Sequence, residues 1–228
     1  MYINSHISNN VNQLITLGNS HSRDKYAFSA GYPGMYLSSM NHLTFTDGRT
    51  YIGQTVVSLT GIPVPHGYGT MTSLDGVYYR GNWHQGQRHG TGLQVDPSSG
   101  RTYYGAFVND REEGYAIVTR SGYFGETRHY EGFIYWGNRH GQGIQIETMA
   151  NGSKTIFEGT WEDDVLEGWG RYTTTSVIGA TQTYEGWFVN GQLQGQGYMV
   201  DSSRGNQRWP VTFAAGNVIN PPVGMGWV

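Results

Sequence analysis

The chain has no cysteine, and only two of its 228 residues are lysine, Lys25 and Lys154. Without cysteine neither a disulfide framework nor a thiolate metal site can form, which fits a reducing compartment. No apolar run approaches the roughly 20 residues that cross a bilayer as a helix. The N-terminus lacks the charged start and apolar core of a secretory leader, so a soluble, cytoplasmic protein is expected. An excess of one charge is missing too: 14 basic residues face 17 acidic ones, for a formal net charge of -3. That balance argues against nucleic acid as a partner, and no dense block of Lys and Arg offers a polybasic tether. Catalytic signatures are absent as well. There is no Gly-x-Ser-x-Gly, no His-Glu-x-x-His and no glycine loop ending in Lys-Ser/Thr, the arrangements that present a nucleophile, a zinc ion or a phosphate cradle. No enzyme, no cofactor and no metal is therefore expected.

What is present in excess is glycine, at 35 residues, beside 17 tyrosines and 7 tryptophans. Glycine alone at this level would suggest disorder, but so many aromatics can bury large apolar surfaces. Together they point to tight turns and close backbone approach on a regular frame. A repeat supplies that frame. Tyr79–Gly92 reads YRGNWHQGQRHGTG, Tyr103–Ala116 YYGAFVNDREEGYA, Tyr130–Gly143 YEGFIYWGNRHGQG, Phe157–Gly170 FEGTWEDDVLEGWG and Tyr184–Gly197 YEGWFVNGQLQGQG. All five share one spacing: an aromatic at position 0, Gly at +2, usually an aromatic at +4, Gly at +11, and Gly or Ala at +13. Weaker copies start at Tyr51 and Trp209, so that successive starts lie 24 to 28 residues apart. Irregular terminal copies are expected of a stack that must cap itself.

The pattern Y-E-G-x-W…G…H-G-x-G resembles the MORN repeat, well over residues 51–197 and poorly over 209–226. The resemblance implies an all-β fold, an elongated, twisted antiparallel sheet of stacked β-hairpins. It also implies that such an array binds partner proteins along a groove, self-associates, or sits near membranes. Two parts are expected: a non-repeat N-terminal arm or cap over residues 1–50, and the array over 51–228.

The residues themselves support hairpins. Positions 0 to +4 alternate like a strand with one buried face. Gly86, Gly137 and Gly191 fall at +7, and Asn190-Gly191 is the strongest hairpin signal in the chain. Glycines at +2, +11 and +13 run against strand propensity. They are expected to lie beneath aromatic rings of the adjoining copy.

Three candidate sites arise. His66, His89 and His140 recur before the Gly-x-Gly, but equivalent positions lie two strands, about 9–10 Å, apart, too far to share one ion. The run Glu162-Asp163-Asp164 lacks calcium-loop spacing and reads as a solvated turn. The third candidate is more specific. Positions +1, +3 and +12 point away from the glycine face and are polar in several copies, yet they hold Tyr104, Tyr115, Phe133, Trp169 and Trp187. Aromatics that a repeat does not require suggest a contiguous interface patch. These five are the candidate partner-binding residues. The expected function is a non-catalytic protein-binding scaffold that docks a partner peptide or helix, or associates into homo-oligomers. The alternative is a peripheral membrane or phospholipid-binding module.

Overall fold

The computed structural model describes residues Met40–Asn220. The N-terminal arm up to residue 39, and Gly224 and Gly226 of the last copy, lie outside the described residues. Over the described span the chain is all β, one open antiparallel sheet of fifteen strands in sequence order. The strands are β1 (Asn41–Thr44), β2 (Thr50–Val57), β3 (Pro63–Thr72), β4 (Tyr78–His84), β5 (Gln87–Asp96), β6 (Arg101–Val108), β7 (Arg111–Ser121), β8 (Thr127–Tyr135), β9 (Asn138–Thr148), β10 (Lys154–Glu162), β11 (Val165–Thr175), β12 (Thr181–Val189), β13 (Gln192–Asp201), β14 (Arg208–Ala214) and β15 (Asn217–Val218). Each copy is one hairpin, from β2–β3 to β14–β15, and β1 pairs with β2 ahead of the first copy.

The turns follow from their residues. Asn190 (φ 51°) and Gly191 (φ 76°) both have positive φ, the two-residue reversal whose twist matches paired strands. A bulge follows in every complete hairpin. Between β4 and β5, Gly81 pairs with Gly92 and Trp83 with Arg88, so Asn82 faces three residues. Gly90, at +11, takes up the slack with φ 73°. The +11 glycine is therefore a backbone requirement and not a seat for a ring, which corrects the expectation for that position.

The core lies on one face. Tyr51, Tyr79, Tyr103 and Tyr130 at position 0 are buried. Each folds down over the bare backbone of its own hairpin. A Cβ added at Gly92 would lie 2.3 Å from the Tyr79 ring, and one at Gly143 would lie 2.4 Å from the Tyr130 hydroxyl. In the fifth and sixth copies the next copy's +4 ring does reach the +13 glycine, Phe188 at Gly170 and Phe213 at Gly197. In the first four the position-0 rings cover their own copy's +2 and +13 positions, which corrects the expectation there. The reason lies in the hydroxyl. Each tyrosine donates to the carbonyl three residues on, freed by the bulge: Tyr51 to Gln54 at 2.6 Å, Tyr79 to Asn82, Tyr103 to Ala106 and Tyr130 to Phe133 at 2.8 Å.

Contact between copies falls to position +4. The Trp83 ring stands edge-on to Tyr51 and Tyr79, 5.5 and 5.0 Å between centroids, and Phe107 likewise bridges Tyr79 and Tyr103. The Trp83 and Trp161 indole N–H groups donate to the carbonyls of Gly69 and Gly143, in the preceding copies. The turns also interlock through the backbone. The +7 amide donates to the +9 carbonyl of the copy before it, as in Asp110 to Arg88, Gly137 to Glu112 and Gly191 to Leu166, at 3.0–3.1 Å. A single hairpin is marginal in water, and these links make the stack the stable unit.

Candidate functional site

The second face of the sheet carries the candidate aromatics. Strand alternation turns every residue one step from the tyrosines outward, and no described element covers that face. Tyr104, Tyr115, Phe133, Trp169 and Trp187 are all exposed there, the last four by about half. The register places four of them as two cross-strand pairs in one row. Tyr115 stands opposite Phe133 on β7 and β8, and Trp169 opposite Trp187 on β11 and β12. The first pair meets edge-to-face at 5.6 Å, a favourable arrangement.

The patch is not contiguous, which corrects the expectation. Gln142 and Thr160 occupy the same row between the pairs and hydrogen-bond to each other at 2.6 Å. Four strand spacings, roughly 19 Å, separate the pair centres. Tyr104 lies one row away, between Leu93 and Ile117. Polar groups frame the aromatics: the Tyr115 hydroxyl donates to Glu131 at 2.8 Å. Burial, then the hydrogen bond to Glu131 and that residue's charge, push the phenol up to about 12.

The histidine column holds a member that repeat spacing does not reveal. His84 lies between His66 and His89, with centroids 5.2 and 5.7 Å away, while His140 packs beside Tyr135. His66 Nδ1 accepts the Gln85 amide. Among the described residues no group of three ligating side chains is placed to hold a metal ion. The acidic turn is more than solvated. Asp164 receives the Arg139 guanidinium at 2.8 Å, as Asp110 receives Arg88 at 3.0 Å, tying successive copies together.

Two features escape the repeat pattern. The loops joining one copy to the next all lie at the same end of the strands, and several display apolar tips. Leu74, Tyr123, Phe124, Val177 and Ile178 are exposed there, Phe124 by 85% and Ile178 by 87%. The segments Gly122-Tyr123-Phe124-Gly125 and Ser176-Val177-Ile178-Gly179 announce them, two apolar residues at the tip of a glycine turn, while Leu74 in Ser73-Leu74-Asp75-Gly76 lies against Gly48 of the neighbouring turn. The second feature is a row of arginines on the tyrosine face, Arg101, Arg120 and Arg128. No helix among the described residues is long and apolar enough to cross a membrane.

Comparison with known proteins agrees with this geometry. The family model for the MORN repeat matches five stretches, residues 64–78, 79–101, 130–146, 157–176 and 184–205. No curated protein matches the chain. The stretches begin on or end beside the strands described above, and the copy at 103–116, with Ala116 for glycine and a polar turn, falls between matches while keeping the same hairpin. MORN repeats commonly act as protein- or membrane-binding modules and are typically non-catalytic. Spacing, hairpin geometry and family match converge: the chain belongs to the MORN-repeat proteins.

Proposed function

We propose that this chain is a non-catalytic cytoplasmic scaffold that binds a partner protein across the face opposite its tyrosine core. The observation that carries the reading is the two half-exposed aromatic pairs, Tyr115 with Phe133 and Trp169 with Trp187, set in one row with a polar pair between them. Two anchors roughly 19 Å apart suit a helix of about 13 residues at 1.5 Å per residue, with Gln142 and Thr160 beneath its middle. Aromatic anchors of this kind often contribute about 2 kcal/mol or more to binding each.

The test is affinity capture from the native source with the intact chain and with Trp169→Ala/Trp187→Ala. Proteins recovered only by the intact chain support the reading, provided the double variant melts within about 0.5 kcal/mol of it. Trp161→Ala is the control on the other face. Trp161 is 4% exposed, so its loss should cost roughly 3–5 kcal/mol of stability. If the double variant retains every bound protein, this face is not the interface. Homo-oligomers are a second use of the same anchors and would appear as a mass dependent on both tryptophans in light scattering.

A second reading rests on the apolar loop tips. Phe124 and Ile178, with Tyr123, Val177 and Leu74, project from one end of the strands and could enter the boundary of a lipid surface. The balanced charge and scarce lysine weigh against tight lipid binding. Vesicle sedimentation with Phe124→Asp/Ile178→Asp separates the two readings, since these residues lie away from the aromatic pairs.

A further inference from the structure

The tyrosine face holds an electrostatic feature that stacking does not need. Arg101, Arg120 and Arg128 stand directly opposite one another on three successive strands. Like charges so placed destabilise a sheet. Two of the three are neutralised. Arg101 donates both terminal nitrogens to Glu112 at 2.7 and 2.6 Å, and Arg128 Nε donates to Glu147 at 2.8 Å. Arg120, between them, is exposed, and its side chain makes no hydrogen bond or ion pair among the described residues. The three line a cavity of about 260 Å³ together with Arg139, over a floor of Tyr130 and Ile134. Arg139 is committed to Asp164. Asp96 faces Arg101 from the far side, its carboxylate held by Ser98 and Ser99, so Arg120 is the one guanidinium of the four that no carboxylate engages.

The molecule contains its own control. A cavity of about 450 Å³ recurs at the equivalent place nearer the start of the array, where Tyr79, Arg88, Gln94 and Asp110 match Tyr130, Arg139, Gln145 and Asp164. There, Ser73 and Val77 stand at the repeat positions of Arg120 and Arg128. The same hairpins close around a serine and a valine, so the fold does not require arginine at either place.

We propose that the Arg101–Arg120–Arg128 cavity is a binding site for a single carboxylate group, received by Arg120 with Arg128 alongside. A guanidinium takes a carboxylate through two parallel N–H donors, and Arg120 has both donors uncommitted among the described residues. The site lies on the opposite face from the aromatic pairs and is independent of the protein-docking reading.

The experiment follows the arginine Nε–Hε and backbone amide signals by NMR in the full chain. Sodium acetate and a capped aspartate-containing tripeptide are titrated over the millimolar range, with sodium chloride at matched ionic strength as reference. The expected result is a saturable shift centred on Arg120, weakened about tenfold or more by Arg120→Gln with unchanged backbone spectra. The graft Ser73→Arg/Val77→Arg should create a second saturable response in the neutral cavity. Tighter binding of the tripeptide than of acetate would identify a polypeptide as the source of the carboxylate, and equal binding a small organic acid; both support the site. Shifts that match chloride, or that persist in Arg120→Gln, overturn the proposal. Inorganic phosphate saturating at a tenfold lower concentration than acetate would overturn the assignment to a carboxylate.

Discussion

The hairpins of residues 51–146 and those of residues 157–213 share one backbone but fill its hollow differently. In the first region the position-0 tyrosine lies flat over its own glycines, and Tyr130 is 3% exposed. In the second, Phe157 and Tyr184 are only half-buried, and their rings stand in a row with Tyr172, at 5.2 and 5.9 Å. The hollow is filled instead by Leu166 and Leu193, both buried, whose methyls come within 3.2 and 3.1 Å of where a Cβ on Gly159 and Gly186 would sit. Position +9 explains the switch. It is Arg88, Glu112 and Arg139 in the second to fourth copies, each paired to a charge at the rim, while in the first the register puts Pro65 at the equivalent place. It is leucine in the second region. A charged group cannot enter the apolar hollow unpaired, so the tyrosine occupies it. A leucine can, and the ring is displaced outward. From the second copy to the sixth, the residue at +9 thus separates two cores.

The largest effects should come from filling the hollow. In Gly132→Val, the new Cβ would lie 2.5 Å from the Tyr130 hydroxyl and 2.6 Å from the Gly143 Cα. Backbone cannot retreat, so the loss should reach about 3 kcal/mol, the upper range for overpacking. Gly186→Ala meets a Leu193 methyl at 3.1 Å and the Phe213 ring at 3.3 Å, atoms that can shift, and should cost under about 1 kcal/mol. Equal losses in chemical denaturation would erase the distinction between the regions. The +9 residues test it from the other side. Leu166→Ala removes a buried side chain and should cost roughly 2–4 kcal/mol. Arg139→Ala removes a partly exposed ion pair and a cation–π contact to Trp161 at 4.2 Å, and should cost about 1 kcal/mol. The reverse ranking would show that the arginine, not the leucine, is the core residue.

Much of the frame was legible in the sequence. The 24- to 28-residue spacing, the Asn-Gly turn and the alternation from position 0 to +4 each have a local cause, and the strands and turns lie where those causes put them. What was not legible is a matter of direction. Alternation tells which face a ring shares with a glycine but not whether it leans onto its own hairpin or the next. That depends on the Phe133-type carbonyl freed by the bulge, which spacing alone does not reveal. A glycine tolerating positive φ, such as Gly90, and one bared for a ring, such as Gly92, look identical in a motif. His84, Phe124 and Arg120 sit off the repeat's marked positions, so a reading keyed to the repeat passed over them. For the aromatic pairs, facing and exposure followed from alternation, whereas the polar break at Gln142 and Thr160 needed the cross-strand register.

Alkaline pH should open the first region before the second. Burial raises the Tyr51 and Tyr130 phenols from 10 to about 12, and it pushes Tyr79 and Tyr103 up as well. In the second region the position-0 residues are Phe157, which does not titrate, and Tyr184, also raised by burial. The unfolded chain loses these protons first, near pH 10, while the folded chain holds them. The stabilising contribution is therefore complete below pH 10 and is lost as pH climbs from 10 towards 12. Residue-resolved amide exchange across that window should show β2–β9 losing protection before β10–β13. Simultaneous loss, or loss beginning in β10–β13, would break the link between ring burial and regional stability.

The smallest effect is the most diagnostic, because it changes one oxygen atom. The Tyr130 hydroxyl donates to the Phe133 carbonyl at 2.8 Å within the bulge. Tyr130→Phe leaves the ring in place and that carbonyl without its partner, at a cost of about 1 kcal/mol. The Tyr184 hydroxyl reaches only the exposed Gln182 side chain, at 3.3 Å, where water replaces it. Tyr184→Phe should therefore change stability by no more than a few tenths of a kcal/mol. The chain already carries phenylalanine at the equivalent position, Phe157, in the neighbouring copy with leucine at +9. The pairing has a physical basis: where leucine fills the hollow, the ring no longer reaches the bulge and the hydroxyl has nothing to hold. Placing leucine at +9 of the fourth copy by Arg139→Leu should then make Tyr130→Phe nearly neutral. A double-mutant cycle between the two positions would read that coupling directly, and an additive result would mean that the ring's position does not depend on the residue at +9.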